Sequence, residues 1–148
     1  MDFPKLNLPK VEFKTKLVNG TTQVFDVVRK KYFKLTSEEW VRQHFIHYLN
    51  TDKNYPISLM GVEKMLKYNN LKKRADIVIY NKLGDATMIV ECKASSVNLN
   101  QEVFYQIARY NFVLKVKYLV VTNGRMHYCC SIDYRTKKVD FLKDIPVF

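Results

Sequence analysis

A glutamate and a lysine two positions apart interrupt an apolar run of the sequence. The run is MIVECKA, in which Glu91 and Lys93 stand among residues typical of a buried strand. An earlier run, DIVIY, begins with Asp76 in a similar way. Because charged groups cost free energy inside a sheet, these three residues are the first candidates for chemistry.

Hairpin geometry predicts that the three charged groups converge. A turn centred between Leu83 and Gly84 places Asp76 opposite Glu91, and strand alternation puts Lys93 on the same face as Glu91. Two facing carboxylates repel each other unless a cation compensates them. An ion pair in which Lys93 neutralises both acids is one solution, and a divalent metal is the other.

The divalent-metal interpretation predicts a specific reaction chemistry. Magnesium prefers a few carboxylate oxygens and keeps several waters, which suits two acids at the end of a sheet. A neighbouring ammonium, that of Lys93, can hold a metal-bound water and offset charge that develops on an attacked phosphate. The pattern therefore predicts phosphodiester hydrolysis.

Periodicity and turn signals predict the elements that position these residues. Alternating runs around Asn19-Gly20 predict a hairpin, and the pattern after Thr36 predicts an amphipathic helix with Thr36 as its N-cap. Three antiparallel strands are predicted in 61–94, a second helix in 100–117 and short strands beyond. The fold class is α/β (α+β), with a mixed sheet flanked by helices in a single domain, 1–148, that has an extended lead-in over 1–10.

The overall charge favours a polyanionic partner. The 148 residues include 25 Lys and Arg against 14 Asp and Glu, which gives a net charge of +11. Such a balance is typical of proteins that bind nucleic acid or an acidic membrane face. The chain has no apolar signal segment and no stretch near the roughly 18 apolar residues of a membrane span, so we expect a cytoplasmic protein without a membrane partner.

Histidine and cysteine offer weaker candidate sites. His44 and His47 lie three apart on the first predicted helix without a neighbouring trio of carboxylates, so packing is favoured over zinc binding. Cys92, Cys129 and Cys130 have no zinc spacing and no Cys-His dyad, so buried, reduced thiols are expected.

The ordered motifs resemble a known nuclease family. RADIVIYNKLGDATMIVECKA resembles the D…E-x-K core of the PD-(D/E)XK phosphodiesterase superfamily, specifically the N-terminal nuclease domain of type I restriction enzyme R subunits. Gln106 and Tyr110 match the Q-x-x-x-Y motif that follows this core, and VTNG at 121–124 resembles the next strand end. TSEEWVRQHFIHYL and YPISLMGVEKML resemble the first helix and first core strand. The resemblance covers about residues 30–135 and departs at Ala75, where proline is common.

The resemblance implies a restriction-endonuclease-like core and assigns roles to the acids. It implies that Asp76 and Glu91 bind Mg²⁺, with Mn²⁺ as a substitute, and that Lys93 orients the nucleophilic water. Glu39 or Glu38 is the candidate for the acidic residue that the family often carries on its first helix. A capping box with Thr36 explains Glu39 equally well.

Further residues are implied to position DNA. Gln106 and Tyr110 lie four apart on one helical face and would sit near the site. Among the basic residues, Arg74 leads into Asp76 and Arg109 lies between the two motif residues, so both are candidate DNA contacts. Glu63 approaches the same region, where a surface role is favoured.

The predicted function is metal-dependent DNA phosphodiester hydrolysis by an endonuclease of restriction type. The sequence contains no G-x-x-x-x-G-K-[S/T] phosphate loop, so it does not include the motor of an R subunit. Expected partners are DNA and either a second copy of the chain or other restriction-system subunits. The alternative is a non-catalytic module of the same fold that binds nucleic acid or a partner protein.

Overall fold

The computed structural model describes residues 3–148, and a small antiparallel sheet is its first feature. β1 (Thr15–Val18) and β2 (Thr21–Asp26) form the predicted hairpin. Asn19 and Gly20 both have positive φ, as a type I′ turn requires. A strand that the sequence did not predict, β3 (Lys31–Lys34), pairs with β2 and completes a three-stranded sheet.

The first helix, α1 (Ser37–Thr51), begins as predicted. The Thr36 side-chain oxygen accepts a hydrogen bond from the backbone N–H of Glu39 at 3.0 Å, which caps the helix. Val41, Phe45 and Leu49 are fully buried along one side of α1. This side of the helix packs on the larger sheet.

The larger sheet has six strands in chain order. After a 3₁₀ turn at Ile57–Leu59 come β4 (Met60–Tyr68), β5 (Leu71–Tyr80) and β6 (Ala86–Cys92). A crossover through α2 (Gln101–Asn111) and a 3₁₀ turn at Phe112–Leu114 leads to β7 (Tyr118–Thr122), β8 (His127–Asp133) and β9 (Lys138–Leu142). Only β6 and β7 pair in parallel, so the sheet is mixed, as predicted.

The two helices cover opposite faces of this sheet, which confirms the predicted layers. One face packs on α1 through Ile77, Met88 and Val90, and the other packs on α2 through Val78, Ile89 and Val121. α2 is shorter than the predicted range of 100–117, since the chain leaves it at Asn111 and Lys115 adopts a left-handed conformation. Among residues 3–148, no helix has the length and apolar character needed to cross a membrane.

A buried carboxylate, that of Asp26, links the small sheet to α1 through hydrogen bonds. Asp26 Oδ1 accepts hydrogen bonds from the backbone N–H groups of Val28 and Arg29, both at 2.8 Å. Asp26 Oδ2 accepts from Arg29 Nε at 2.9 Å and from Gln43 Nε2, on α1, at 2.8 Å. Burial alone would raise the pKa of Asp26, but these hydrogen bonds and the Arg29 charge outweigh it and lower the pKa. The ionised form is therefore part of the folded structure.

We expect Asp26→Asn to lower the free energy of unfolding at neutral pH and to make that free energy depend less on pH in the acidic range. A carboxyl whose folded pKa lies below its ordinary value of 3.8 stabilises the fold above that value and loses this contribution as the pH falls through the folded pKa. Urea unfolding between roughly pH 7 and pH 2 measures the effect. Asp140→Asn, at a half-exposed position on β9, is the control and should follow the wild-type curve. Parallel curves for Asp26→Asn and wild type would contradict this role.

Candidate active site

The hairpin of β5 and β6 has the predicted register. Ile77 pairs with Val90 and Ile79 pairs with Met88, so one further step places Asp76 opposite Glu91. The turn is fixed by Asn81, whose side-chain oxygen accepts hydrogen bonds from two backbone N–H groups within the loop. The register slips only after Ile79, at the turn end of the hairpin. The slip therefore lies away from the acids.

Asp76, Glu91 and Lys93 all line one cleft of about 400 Å³. The cleft opens where β6 and its parallel partner β7 both end, with the backbone N–H of Lys93 donating to Thr122 O at 2.8 Å. Side chains from α1, β4, β5 and the end of α2 complete the wall. The other charged and polar lining residues are Glu38, Glu63, Lys72, Lys73, Arg74, Tyr110 and Asn111.

Asp76 is held through both carboxylate oxygens. Its Oδ2 accepts from the backbone N–H of Cys92 at 2.7 Å, and its Oδ1 accepts from Arg42 Nη2 at 2.9 Å. A carboxylate oxygen can accept more than one hydrogen bond, so lone pairs remain for a ligand in the cleft. The two bonds fix the orientation in which those lone pairs are presented.

Glu91 and Lys93 form an ion pair at the mouth of the cleft. Lys93 Nζ lies 3.1 Å from Glu91 Oε1, and about a third of each side chain is exposed. Burial alone would lower the pKa of Lys93, but its hydrogen bond to Glu91 and the charges of Glu91 and Asp76 outweigh this and raise the pKa. Lys93 is therefore an ammonium at neutral pH.

A buried arginine that sequence reasoning missed joins the acids. The Arg42 guanidinium donates to Glu39 at 2.5 Å, to Glu63 at 2.7 Å and to Asp76 at 2.9 Å. Its side chain is only 8% exposed. Burial alone would lower the pKa of Arg42, but the charges of Glu39 and Asp76 outweigh burial and raise the pKa above its ordinary value. Arg42 is therefore a permanent cation. The sequence signal was its position three and four residues after Glu39 and Glu38 on one helix.

The two candidate glutamates of α1 point to different places. The Glu39 carboxylate is buried, accepts from Arg29 at 2.6 Å as well as from Arg42, and does not line the cleft. Glu38 lines the cleft and is 49% exposed. Burial and the charge of Asp76 raise the pKa of Glu38. The acidic side chain that α1 presents to the cleft is thus Glu38.

Glu63, for which a surface role was favoured, also lines the cleft. It has a left-handed φ of 55°, and the ladder between β4 and β5 pairs Val62 with Ile77 and Lys64 with Ala75 on either side of it. This conformation is uncommon for a residue with a side chain and often marks functional positions. Here it accompanies a hydrogen bond from Arg42 to the Glu63 carboxylate.

The predicted DNA contacts separate into two groups. Tyr110 lines the cleft, where the Lys73 ammonium donates to its backbone oxygen and lies 3.0 Å from its ring centroid. Arg74 is at the rim, 64% exposed and 3.7 Å from Glu63. Gln106 and Arg109 are exposed on α2 and are not among the lining residues.

The histidines and cysteines lie in packed surroundings. His44 Nδ1 is 2.8 Å from Trp40 O, and the Phe13 ring contacts both His44 and His47 edge-on. Burial lowers the pKa of both imidazoles. All three cysteines are buried free thiols, as predicted, and burial raises their pKa.

Comparison with known proteins places the chain in a family. The sequence profile described as "Type I restriction enzyme R protein N terminus (HSDR_N)" matches residues 37–146. The chain belongs to this family. No curated protein matches the chain. The family match begins at Ser37, so the small sheet precedes it.

A solved structure supports the fold of this R protein N-terminal family member. The structure is a fragment described as an HsdR subunit of a type I restriction enzyme from Vibrio vulnificus YJ016, with a TM-score of 0.51 and 20% sequence identity. The similarity covers 76% of this chain and 24% of that one. The chain therefore spans about a quarter of the length of the structure it matches.

The cleft chemistry fits a hard divalent cation. Four carboxylates line it, and carboxylate oxygen is the ligand that magnesium prefers. Within the part of the chain that the structure describes, no three His, Cys, Asp or Glu side chains are placed to hold a metal together. Asp76 and Glu91, which face each other across the strand pair, could hold such an ion if water supplied its remaining ligands.

Replacing Arg42 should destabilise the fold strongly. Arg42→Gln leaves Glu39 and Asp76 without their common cation, and breaking a buried ion network from one side costs about 3–5 kcal/mol of unfolding free energy. Urea titration followed by circular dichroism measures the loss. Arg74→Gln removes the same charge from an exposed rim position, where the change should stay within about 0.5 kcal/mol. Equal losses in the two variants would contradict the central position of Arg42.

Proposed function

We propose that this chain is a nuclease domain that hydrolyses DNA phosphodiester bonds with a divalent metal, in the manner of the PD-(D/E)XK superfamily. The observation that carries the proposal is the cleft in which Asp76, Glu91 and Lys93 meet. A sheet gains no stability from opposed carboxylates, so their presence at an open strand end is best explained by a ligand. Family membership supports the same conclusion.

Each proposed catalytic group has a separate task. Asp76 and Glu91 would hold the ion, Mg²⁺ or Mn²⁺, which when bound supplies Lewis acidity and lowers the pKa of a bound water. Lys93 keeps its proton and orients the attacking water toward the phosphorus. Arg42 and the Cys92 N–H keep the Asp76 carboxylate in one orientation, which reduces the reorganisation needed during reaction.

The basic rim would receive the phosphate backbone. Lys72, Lys73 and Arg74 line the β5 side of the cleft, and Tyr110, at the end of α2, contacts Lys73. Lysine and arginine contacts to phosphate supply affinity without base specificity. Gln106 and Arg109, exposed on α2, would contact DNA that extends beyond the cleft or another protein. A second copy of the chain or other subunits of a cytoplasmic restriction system are the partners we propose.

One observation favours the non-catalytic alternative. Arg42 and Lys93 already supply positive charge to Asp76 and Glu91 within hydrogen-bonding distance. A domain that only binds nucleic acid or a partner protein could retain this network as a structural device. The two functions differ in whether bound DNA is cut.

Plasmid cleavage tests the proposal. The purified chain should nick or linearise supercoiled DNA in Mg²⁺ or Mn²⁺, and EDTA should stop the reaction. Asp76→Asn, Glu91→Gln and Lys93→Gln should each lower the rate by roughly 100-fold or more, as expected when a preorganised charged group is lost. DNA binding in EDTA, measured in parallel, shows whether each variant still folds and recognises its substrate.

The chain provides a matched control pair. Lys138 and Asp140 on β9 are also two residues apart and form an ion pair, at 3.7 Å. Lys138→Gln and Asp140→Asn make the same charge changes away from the cleft and should leave cleavage unchanged. Equal rates in the cleft and β9 variants would refute the site. Binding without cutting in either metal would support the non-catalytic module.

A further inference from the structure

The outer face of the small sheet carries a basic and aromatic surface. Val24 and Asp26 of β2 point inward and are fully buried, so the alternate residues point away from α1. We call this surface the outer face, and it consists of Lys14, Lys16, Gln23, Phe25, Tyr32 and Lys34. It lies before residue 37, where the family match begins.

The strand register arranges these side chains in two rows across the sheet. Lys16 pairs with Gln23, and Gln23 pairs with Lys34, which gives one row with a lysine at each end. In the next row Phe25 pairs with Tyr32, and the Phe25 N–H donates to Lys14 O at 2.8 Å on the other side. Neighbouring members of a row lie on the same face, so lysines surround an aromatic pair.

The two rings contact each other edge to face, at an interplanar angle of 61°, with ammonium groups beside them. The Phe25 and Tyr32 centroids are 5.3 Å apart, and both rings are partly exposed. Lys16 Nζ lies 4.1 Å from the Tyr32 centroid and Lys14 Nζ lies 5.5 Å from the Phe25 centroid. Neither ring belongs to the two cores that pack against the larger sheet. Part of each ring is therefore accessible to a partner. A stacking base would displace the ammonium group that lies over the ring, and that ammonium group would remain close enough to bind the partner's phosphates.

The charge of this surface is of one sign. β1, β2 and β3 contain one acidic residue, Asp26, and its carboxylate is buried on the opposite face. Nothing on the strands themselves therefore neutralises the three lysines of the outer face. A polyanion with flat apolar rings matches both features, because rings can stack on Phe25 and Tyr32 while phosphates approach the lysines.

We propose that the outer face binds single-stranded nucleic acid. Bases of a single strand are free to stack on aromatic side chains, whereas bases in a duplex are already stacked on one another. This surface is separate from the cleft and does not depend on whether the cleft cuts. It is nevertheless fixed relative to the cleft, because Arg29 joins Asp26 of β2 to Glu39, and Glu39 contacts Arg42.

Fluorescence anisotropy in EDTA tests the proposal with no cleavage possible. The probe is a labelled oligothymidylate of roughly 16 nucleotides, with a duplex of equal length as the comparison. Phe25→Leu and Tyr32→Leu keep apolar volume and should each weaken single-strand binding by roughly 5- to 150-fold, the range found when a stacking ring is lost. Their effect on the duplex should be less than about twofold, since a duplex offers no free base to stack.

Charge and position controls complete the binding test. The double variant Lys14→Gln/Lys16→Gln should reduce the slope of log affinity against log salt by about 1.4, or roughly 0.7 per lost phosphate contact on a single strand. Phe141→Leu and Lys143→Gln alter an exposed ring and an exposed lysine elsewhere and should leave binding unchanged. Thermal unfolding of every variant shows whether the sheet is intact.

Photocrosslinking separates the outer face from the cleft. A bromodeoxyuridine-substituted strand should form adducts at Phe25 or Tyr32 in the wild type and in Arg74→Gln, a cleft variant. Adducts confined to cleft residues such as Tyr110 would overturn the proposal, as would unchanged single-strand affinity in both leucine variants. Tight binding of poly-L-glutamate that depends on Lys14 and Lys16 but not on the rings would instead assign the face to an acidic protein, and would also overturn it.

Discussion

The arrangement of the cleft depends on one buried guanidinium. The Arg42 side chain extends from α1 toward the sheet and contacts carboxylates from α1, β4 and β5. Removing an arginine and its acids from water costs several kcal/mol per ion, and only close, multiple hydrogen bonds recover that cost. Arg42 meets this condition with Glu39, Glu63 and Asp76, although its Nε has no partner among the described residues. The network therefore fixes the positions of the acids, and its net contribution to stability can be small even though removing Arg42 alone would be costly.

The position of the cleft follows from the change of strand direction in the sheet. β6 pairs antiparallel with β5 and parallel with β7, and the chain leaves β6 through the loop that leads to α2. At this strand end, the backbone N–H of Cys92 donates to the Asp76 carboxylate, and the backbone N–H of Lys93 donates to the backbone oxygen of Thr122. Strand ends in α/β sheets are where ligands bind, because side chains and backbone groups there are not consumed by the ladder. The acids occupy such an end.

The same network connects two surfaces of different character. Asp26, Arg29, Glu39 and Arg42 form a chain of hydrogen bonds from the small sheet to the cleft. Asp26 of the small sheet and Glu39 of α1 are used inside this chain, whereas the lysines of the outer face remain outside it. Strand alternation produces this separation, since neighbouring residues of β2 face opposite ways. A basic exterior and an acid-rich cleft can therefore coexist in a chain with a net charge of +11.

Sequence patterns determined most elements and the central pairing of the site. The Asn19-Gly20 turn, the Thr36 cap and the register that opposes Asp76 to Glu91 depend on local geometry, which repeats every two or 3.6 residues. β3 was missed because its four residues, KYFK, are too short and too basic to show an alternating pattern. The end of α2 was missed because an apolar run continues through its 3₁₀ turn.

Only the tertiary structure decided which other side chains join the acids. Arg42 and Asp76 are 34 residues apart in sequence, and their contact depends on how α1 is rotated over the sheet. The same rotation turns Glu38 into the cleft and Glu39 away from it, a choice that the helical pattern left open. The left-handed backbone at Glu63 and the exposure of Gln106 and Arg109 are likewise set by packing between elements. The sequence by itself determined the acids and their strand pairing, because these are local; the cations and side chains around them depend on long-range packing, which no periodicity encodes.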